Sequence, residues 1–202
     1  MLAAAACAWG AAAFFGAPAG LIAGTLLASS LLLSTEAFIA KTDAVLCGMI
    51  VLAMAALARI YGAARGGPQV SWRTRLLFWL GLSGAILVKG PVGPMVVTLA
   101  VLALVASERK IDCLKGLGLS WGPILLLALV GPWAWAVTVA TDGAFWSTAL
   151  MGDLAPKLAG GHETHGAPPG YHLLGLSLLA FPMTLLIPAA LVVGWTRRQE
   201  PG

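Results

Sequence analysis

Residues 141–172 read TDGAFWSTALMGDLAPKLAGGHETHGAPPGYH and form the longest polar interruption in an otherwise strongly apolar chain. The stretch contains all three histidines of the protein. The apolar segments on either side, residues 118–140 and 171–195, are each long enough to cross a bilayer, which takes about 20 residues. We therefore predict that residues 141–170 form a polar loop at one face of a membrane protein.

Composition points the same way for the whole chain. Of its 202 residues, 59% are hydrophobic and 10% are charged, and the mean hydropathy is +0.91. Soluble domains carry about 25% charged residues. The apolar runs are residues 2–16, 19–33, 44–60, 76–88, 90–106, 118–140 and 171–195. They predict an all-α, polytopic transmembrane helix bundle over residues 1–202, with about six to seven membrane helices including short or re-entrant ones.

Two turns organise these runs. The sequence GAPAG at residues 16–20 is a helix-breaking hinge, and it predicts that residues 2–16 and 19–33 form an antiparallel hairpin. The sequence KGPVGP at residues 89–94 separates two further apolar arms. If the basic loops before and after these arms lie on one side, Lys89 lies near the other.

The distribution of charge gives the orientation. A net charge of +4 in a membrane protein reflects the positive-inside rule, so we expect no nucleic-acid partner. Nine of the twelve basic residues fall on the predicted cytoplasmic side: Arg59, Arg65, Arg73, Arg75, Arg109, Lys110, Lys115, Arg197 and Arg198. The remaining three, Lys41, Lys89 and Lys157, fall on the outer side with Glu36, Asp43, Asp142, Asp153 and Glu163. Lysines retained near membrane depth on the outer side are functional candidates.

Lys41 and Asp43 stand where a helix begins. Asp43 can cap that helix and Lys41 can extend its ammonium to the interface, which is a purely structural role. Glu36 lies close by in the sequence, and neighbouring carboxylates are what general-base or metal chemistry needs. Both interpretations remain open from the residues alone.

Lys89 has no acid within about ten residues along the chain. Gly90, Pro91, Gly93 and Pro94 hold the backbone in a rigid turn, where exposed amides and an ammonium can together bind an anion. A phosphate at the membrane surface is the ligand that we favour. The alternative is a lysine that only extends to the interface from the tip of a hairpin.

The polar loop offers several candidate contacts. His162, Glu163 and His165 are of the types that bind metals, but their pattern and the surrounding glycines indicate a loop rather than a helical zinc motif. They either bind a divalent metal ion or form hydrogen bonds with a polar substrate or within the loop. Asp153 lies four residues before Lys157, so the two can form a helical ion pair. Aromatic residues bordering the loop, Trp146 and Tyr171, belong to an interfacial belt or stack on a sugar or lipid head group.

Taken in order, four segments resemble bacterial glycosyltransferase family 39: AKTD (40–43), KGPVG (89–93), PW (132–133) leading into FW (145–146), and GHETHGAPPGY (161–171). This superfamily of protein O-mannosyltransferases and aminoarabinose transferases has the GT-C fold. The resemblance implies transfer of a sugar from a polyprenyl-phosphate donor to a lipid or protein hydroxyl. The reaction would take place on the periplasmic side of the bacterial inner membrane, in a multi-pass protein surrounded by membrane lipids.

Residue by residue, the resemblance implies that Asp43 is a catalytic carboxylate, with Glu36 as its neighbour in the acidic cluster. It implies that Lys89 and Lys157 contact the donor phosphate, and Lys41 is a third candidate cation. Asp153, His162, Glu163, His165 and Tyr171 would form the substrate loop. Divalent metal use is open.

The chain also departs from this family. Its members begin with a further helix and an outer loop that carries an acidic catalytic residue, and they continue beyond the point where this chain ends. We therefore expect a fragment that has no transferase activity alone. A transporter or flippase for a lipid-linked saccharide is the alternative function. It would place polar residues along a path at mid-membrane depth, whereas here they gather at one face.

Overall fold

In the computed structural model, residues 1–39, 42–149 and 171–196 are described. These residues form a membrane helix bundle, and no strand occurs among them. The α-helices are α1 (Leu2–Ala28), α2 (Leu31–Phe38), α3 (Thr42–Ala64), α4 (Trp72–Lys89), α5 (Val92–Glu108), α6 (Asp112–Lys115), α7 (Gly122–Ala140), α8 (Ala144–Ser147), α9 (Tyr171–Leu179) and α10 (Ile187–Thr196). A 3₁₀ helix, Met183–Leu186, connects the last two.

Helix α1 is folded back on itself. Gly16 has φ 81° and ψ 169°, which only glycine adopts readily, and the helix reverses there. In the second arm, a Cβ added to Gly24 would come within 2.7 Å of the Ala8 Cβ in the first arm. The hairpin prediction is therefore confirmed, but its second arm ends at Ala28 rather than at residue 33, and residues 31–33 begin α2. At 1.5 Å per residue, arms 2–15 and 17–28 are each about 20 Å long, shorter than the hydrocarbon core of about 30 Å.

Helices α3, α4 and α5 form the centre of the bundle. The antiparallel pair α3 and α4 approaches closely at Gly81, where an added Cβ would lie 2.9 Å from the Met49 carbonyl oxygen. Small residues allow such backbone contact between membrane helices. Around this contact the buried core contains Ala53, Ala56, Leu57, Ile60, Phe78, Trp79, Val97 and Leu117. This packing fixes the ends of α3 and α4 relative to each other.

The first arm of α1 runs parallel to α3. A Cβ added to Gly10 would lie 2.8 Å from the Ala55 Cβ, so the two backbones are in close contact. Arg59 donates hydrogen bonds from Nε and Nη2 to the Trp9 carbonyl oxygen at 3.1 and 2.8 Å, and its guanidinium lies over the Trp9 ring. This arginine, which the sequence placed only as a cytoplasmic-side cation, ties the hairpin to α3.

Helix α7 is attached beside the N-terminal half of α4. The Trp79 indole donates a buried hydrogen bond of 2.8 Å to the Leu117 carbonyl oxygen, and Gly122 packs directly against the same indole. Beyond this attachment, α7 is apolar and none of its most hydrophobic stretch is buried. A helix at residues 118–140 was predicted, and the structure confirms it at Gly122–Ala140.

The segment after the polar loop differs from the prediction. Residues 171–195 do not form one continuous helix, because α9 ends at Leu179 and α10 begins only at Ile187. Pro182 lacks the N–H that a continuing helix needs. At this break, the Phe181 carbonyl oxygen accepts a hydrogen bond of 3.2 Å from the Leu31 amide at the start of α2.

Three helices within the described ranges are long and apolar enough to cross a membrane: α1, α3 and α7. The reversal at Gly16 means that α1 meets this length only as two short arms. Helix α4 carries charged residues at its ends, and helix α5 is somewhat shorter. The count of six to seven membrane helices stays a prediction.

Candidate functional site

One polar site lies where α3 begins and α4 ends, and we call it the Lys89 end of the bundle. Asp43 is in the first turn of α3 and Lys89 is in the last turn of α4. An acid near a helix N-terminus and a base near a C-terminus each complement the helix dipole. Because the two helices are antiparallel, these terminal residues meet. The Lys89 Nζ donates a hydrogen bond of 2.5 Å to Asp43 Oδ1.

Both side chains remain accessible. The Lys89 side chain is 45% exposed and the Asp43 side chain is 49% exposed. Ion pairs at this exposure contribute about 0–1 kcal/mol, since water competes for both charges. A ligand can therefore replace either partner at low cost. The sequence identified both residues, but it did not predict that they touch, because they are far apart along the chain.

The turn after Lys89 supports its position. Helix α4 ends at Gly90, which has φ 60° and ψ −124°, and α5 begins at Val92. The Gly90 amide donates a hydrogen bond of 2.8 Å to the Ile86 carbonyl oxygen, closing the last turn of α4. The turn predicted at residues 89–94 is thus confined to Gly90 and Pro91, because residues 92–94 already belong to α5, and it leaves Lys89 at the end of α4.

The second candidate carboxylate, Glu36, lies on α2 and is partly buried. Helix α2 packs against α3, whose first turn holds Asp43. The two acids therefore come from separate, adjoining helices.

The other candidate site residues fall where the structure gives no description. Lys41, Lys157, Asp153, His162, Glu163 and His165 lie outside the described residues, and only the backbone of Tyr171 is described, as the first residue of α9. Among the described residues, no cluster of three or more His, Cys, Asp or Glu side chains could hold a metal ion. The metal hypothesis rested on the polar loop and stays a prediction.

An aromatic cluster borders the start of the polar loop. Trp133 on α7 contacts Phe145 and Trp146 edge to face, with ring centroids 5.9 and 6.2 Å apart. The Trp146 indole N–H donates a hydrogen bond of 2.7 Å to Thr138 Oγ1. Trp146 is therefore held in place by contacts between α8 and α7, and its indole N–H already donates a hydrogen bond to Thr138.

Comparison with known proteins gives three related sequences. The chain is 31% identical over 135 residues to the undecaprenyl phosphate-alpha-4-amino-4-deoxy-L-arabinose arabinosyl transferase of Pectobacterium atrosepticum, covering 63% of this chain and 23% of that protein. It is 30% identical over 135 residues to the protein of the same name from Pseudomonas paraeruginosa, covering 65% and 24% respectively. A Yersinia enterocolitica protein of the same name is 29% identical over 125 residues, covering 61% and 22%.

The chain thus spans about a quarter of the length of these relatives. No family model and no solved structure matches it. The similarity agrees with the resemblance drawn from the sequence segments between residues 40 and 171.

A second polar cluster lies at the opposite end of the same helices, and we call it the Glu108 end. The Tyr61 hydroxyl donates a hydrogen bond of 2.6 Å to Glu108 Oε1. Arg65 Nη1 donates to the same carboxylate oxygen at 2.6 Å and to the Tyr61 hydroxyl at 2.8 Å. Hydrogen bonding to Tyr61, together with the charge of Glu108, raises the pKa of Arg65 above its ordinary value.

Sequence reasoning missed the Glu108 cluster. One signal was present: Tyr61 and Arg65 are four residues apart, which places them on one helix face. Glu108 was also an acid among basic residues. The helix directions place Arg73, at the start of α4, and Arg109, after α5, at this end of the bundle as well.

Proposed function

We propose that the chain acts as a membrane glycosyltransferase, or as part of one, and that its reaction centre is the Lys89 end. The donor would be a polyprenyl-phosphate-linked sugar, and the acceptor a hydroxyl of a lipid or protein. The observation that carries the proposal is the accessible contact between Lys89 and Asp43. Its support is the similarity to three arabinosyl transferases whose names specify an undecaprenyl phosphate donor.

The two side chains suit the two halves of this reaction. A bond forms between the acceptor oxygen and the anomeric carbon, while the bond from that carbon to the donor phosphate oxygen breaks. The Asp43 carboxylate would take the proton of the acceptor hydroxyl. The Lys89 ammonium would stabilise the charge that gathers on the departing polyprenyl phosphate. Their exposure lets both reach a ligand at the membrane surface.

Other residues would complete the site. Lys157 and Lys41 would add positive charge around the phosphate, and Glu36 would supply a second carboxylate. Asp153, His162, Glu163, His165 and Tyr171 would contact the sugar or acceptor from the polar loop. A divalent metal ion held by the loop is compatible with these residue types. By the positive-inside rule, the Lys89 end would face the periplasm of a bacterial inner membrane.

Donor recognition can be measured on the chain itself. We expect the 202-residue chain in nanodiscs to bind undecaprenyl phosphate, and Lys89→Ala to weaken that binding at least tenfold because a charge-assisted contact is lost. Lys89→Arg should recover binding only in part, since a guanidinium fork does not reproduce a point charge. Arg73→Ala, which removes a cation at the Glu108 end on α4, is the control and should bind like the parent.

In a preparation with transferase activity, Lys89→Ala should cost on the order of 2–4 kcal/mol in the transition state. The proposal fails if Lys89→Ala retains both donor affinity and kcat/KM within about twofold of the parent, a few tenths of a kcal/mol. In that case Lys89 is a surface ion-pair residue and nothing more.

A further inference from the structure

An apolar groove of about 400 Å³ opens on the outside of the bundle between the first arm of α1, α3 and α5. Three alanines, Ala58, Ala100 and Ala103, contribute to its lining, and their small side chains leave the space. Phe14 and Leu104 also line it. Because these helices belong to a membrane helix bundle, we expect the groove to open toward hydrocarbon.

One end of this groove is polar. Tyr61 is among the lining residues, and its hydroxyl bonds to Glu108 and Arg65. Lys110 is close enough for its charge to act on Glu108, and Arg109 follows Glu108 directly. Arg65, Arg109 and Lys110 therefore outnumber the one acid, Glu108, near this end of the groove, which gives the end a net positive charge. A groove that is apolar along its length and cationic at one end is complementary to an amphipathic anion.

We infer that the groove binds one anionic phospholipid of the leaflet at the Glu108 end. An acyl chain would lie along Ala58, Ala100 and Ala103, and the phosphate and head group would face Arg109 and Lys110. This site is at the opposite end from the proposed reaction centre and does not depend on the proposed function.

The chemistry of the groove favours a lipid. Its lining is apolar and includes Tyr61, whose hydroxyl bonds to charged residues, which suits an acyl chain that carries an anionic head group. The charge at the mouth favours an anionic lipid over a zwitterionic one. Each basic residue near a membrane surface increases the affinity for anionic lipid about fivefold.

Lipid retention tests the assignment. The 202-residue chain would be equilibrated in nanodiscs containing equal amounts of phosphatidylglycerol and phosphatidylethanolamine, released, and examined by native mass spectrometry. We expect one phosphatidylglycerol molecule to be retained preferentially. Arg109→Gln combined with Lys110→Gln should lower the preference at least fivefold. Arg73→Gln, a cation at the same end of the bundle but on α4, is the control and should keep it.

Filling the groove gives the second arm of the test. Ala103→Leu, at an exposed position that tolerates a larger side chain, should displace the retained lipid, and Ala58→Leu should do the same. Ala106→Leu, also exposed on α5 but not part of the lining, is the control. Equal retention by all variants would mean only nonspecific surrounding lipid and would overturn the assignment. So would a dimer that the Ala103→Leu variant disrupts, since a second copy would then occupy the groove.

Discussion

The two ends of the α3–α4–α5 bundle both carry an acid and a base, but they are built differently. At the Lys89 end, an ammonium and a carboxylate meet directly at the tips of α3 and α4, with nearly half of each side chain exposed. At the Glu108 end, the tyrosine hydroxyl, the guanidinium and the carboxylate bond to one another and join α3 to α5. The first arrangement can exchange a partner for a ligand. The second is better suited to holding two helices together.

The comparison assumes that the ends lie on opposite sides of a membrane. We expect a single cysteine at position 89 to react with an impermeant thiol reagent from one side only, and cysteines at positions 73 and 109 only from the other. The background would lack Cys7, Cys47 and Cys113. This effect is all or none. Labelling of positions 73 and 89 from the same side would contradict the placement of the two ends on opposite sides of the membrane.

The sharpest functional contrast is expected at Asp43. Asp43→Asn keeps the size of the side chain but removes the base, so transfer should fall by about 10²–10⁴-fold in an active preparation. Binding of undecaprenyl phosphate should persist, because Lys89 remains. Glu108→Gln, an identical chemical change at the other end, is the control. If both variants lose transfer equally, Asp43 has no special chemical role.

The contact between Asp43 and Lys89 depends on the register of α3 relative to α4. Gly81→Ala would place a Cβ 2.9 Å from backbone atoms of Met49 and Ala53, which cannot move aside as a side chain can. We expect a loss of about 1–3 kcal/mol in unfolding free energy and weaker donor binding. Thermal unfolding in detergent would measure the first. Gly131→Ala on α7, where no atom lies within 4 Å of the added Cβ, should unfold like the parent.

The smallest effect is expected at Tyr61. Tyr61→Phe removes two partly exposed hydrogen bonds, to Glu108 and from Arg65, while the ion pair between those two residues remains, so we expect a loss of about 0.5–1.5 kcal/mol. Stability should fall by that amount in a denaturant titration, with donor binding unchanged. A loss of donor binding in this variant would show that the Glu108 end takes part in function.

Sequence patterns predicted the parts of this structure that depend on local chemistry. The reversal at Gly16, the turn after Lys89 and the helix Gly122–Ala140 all follow from glycine, proline and apolar runs. The Lys89–Asp43 and Tyr61–Glu108 contacts join residues more than 40 positions apart, and they depend on helix register set by contacts such as Gly81 on Met49. Pro182 was a local signal for the break before α10. The prediction of one helix over residues 171–195 followed the hydropathy of the segment instead.

The close contact between Gly122 and the Trp79 indole limits how related sequences can diverge at these two positions. The indole fills the space that any side chain at position 122 would need, while its N–H is committed to the Leu117 carbonyl oxygen. Position 122 can therefore gain bulk only in a lineage where position 79 has already lost it. Substitutions at these two positions should appear in that order, as a correlated pair, and the intermediate with both residues large should be missing.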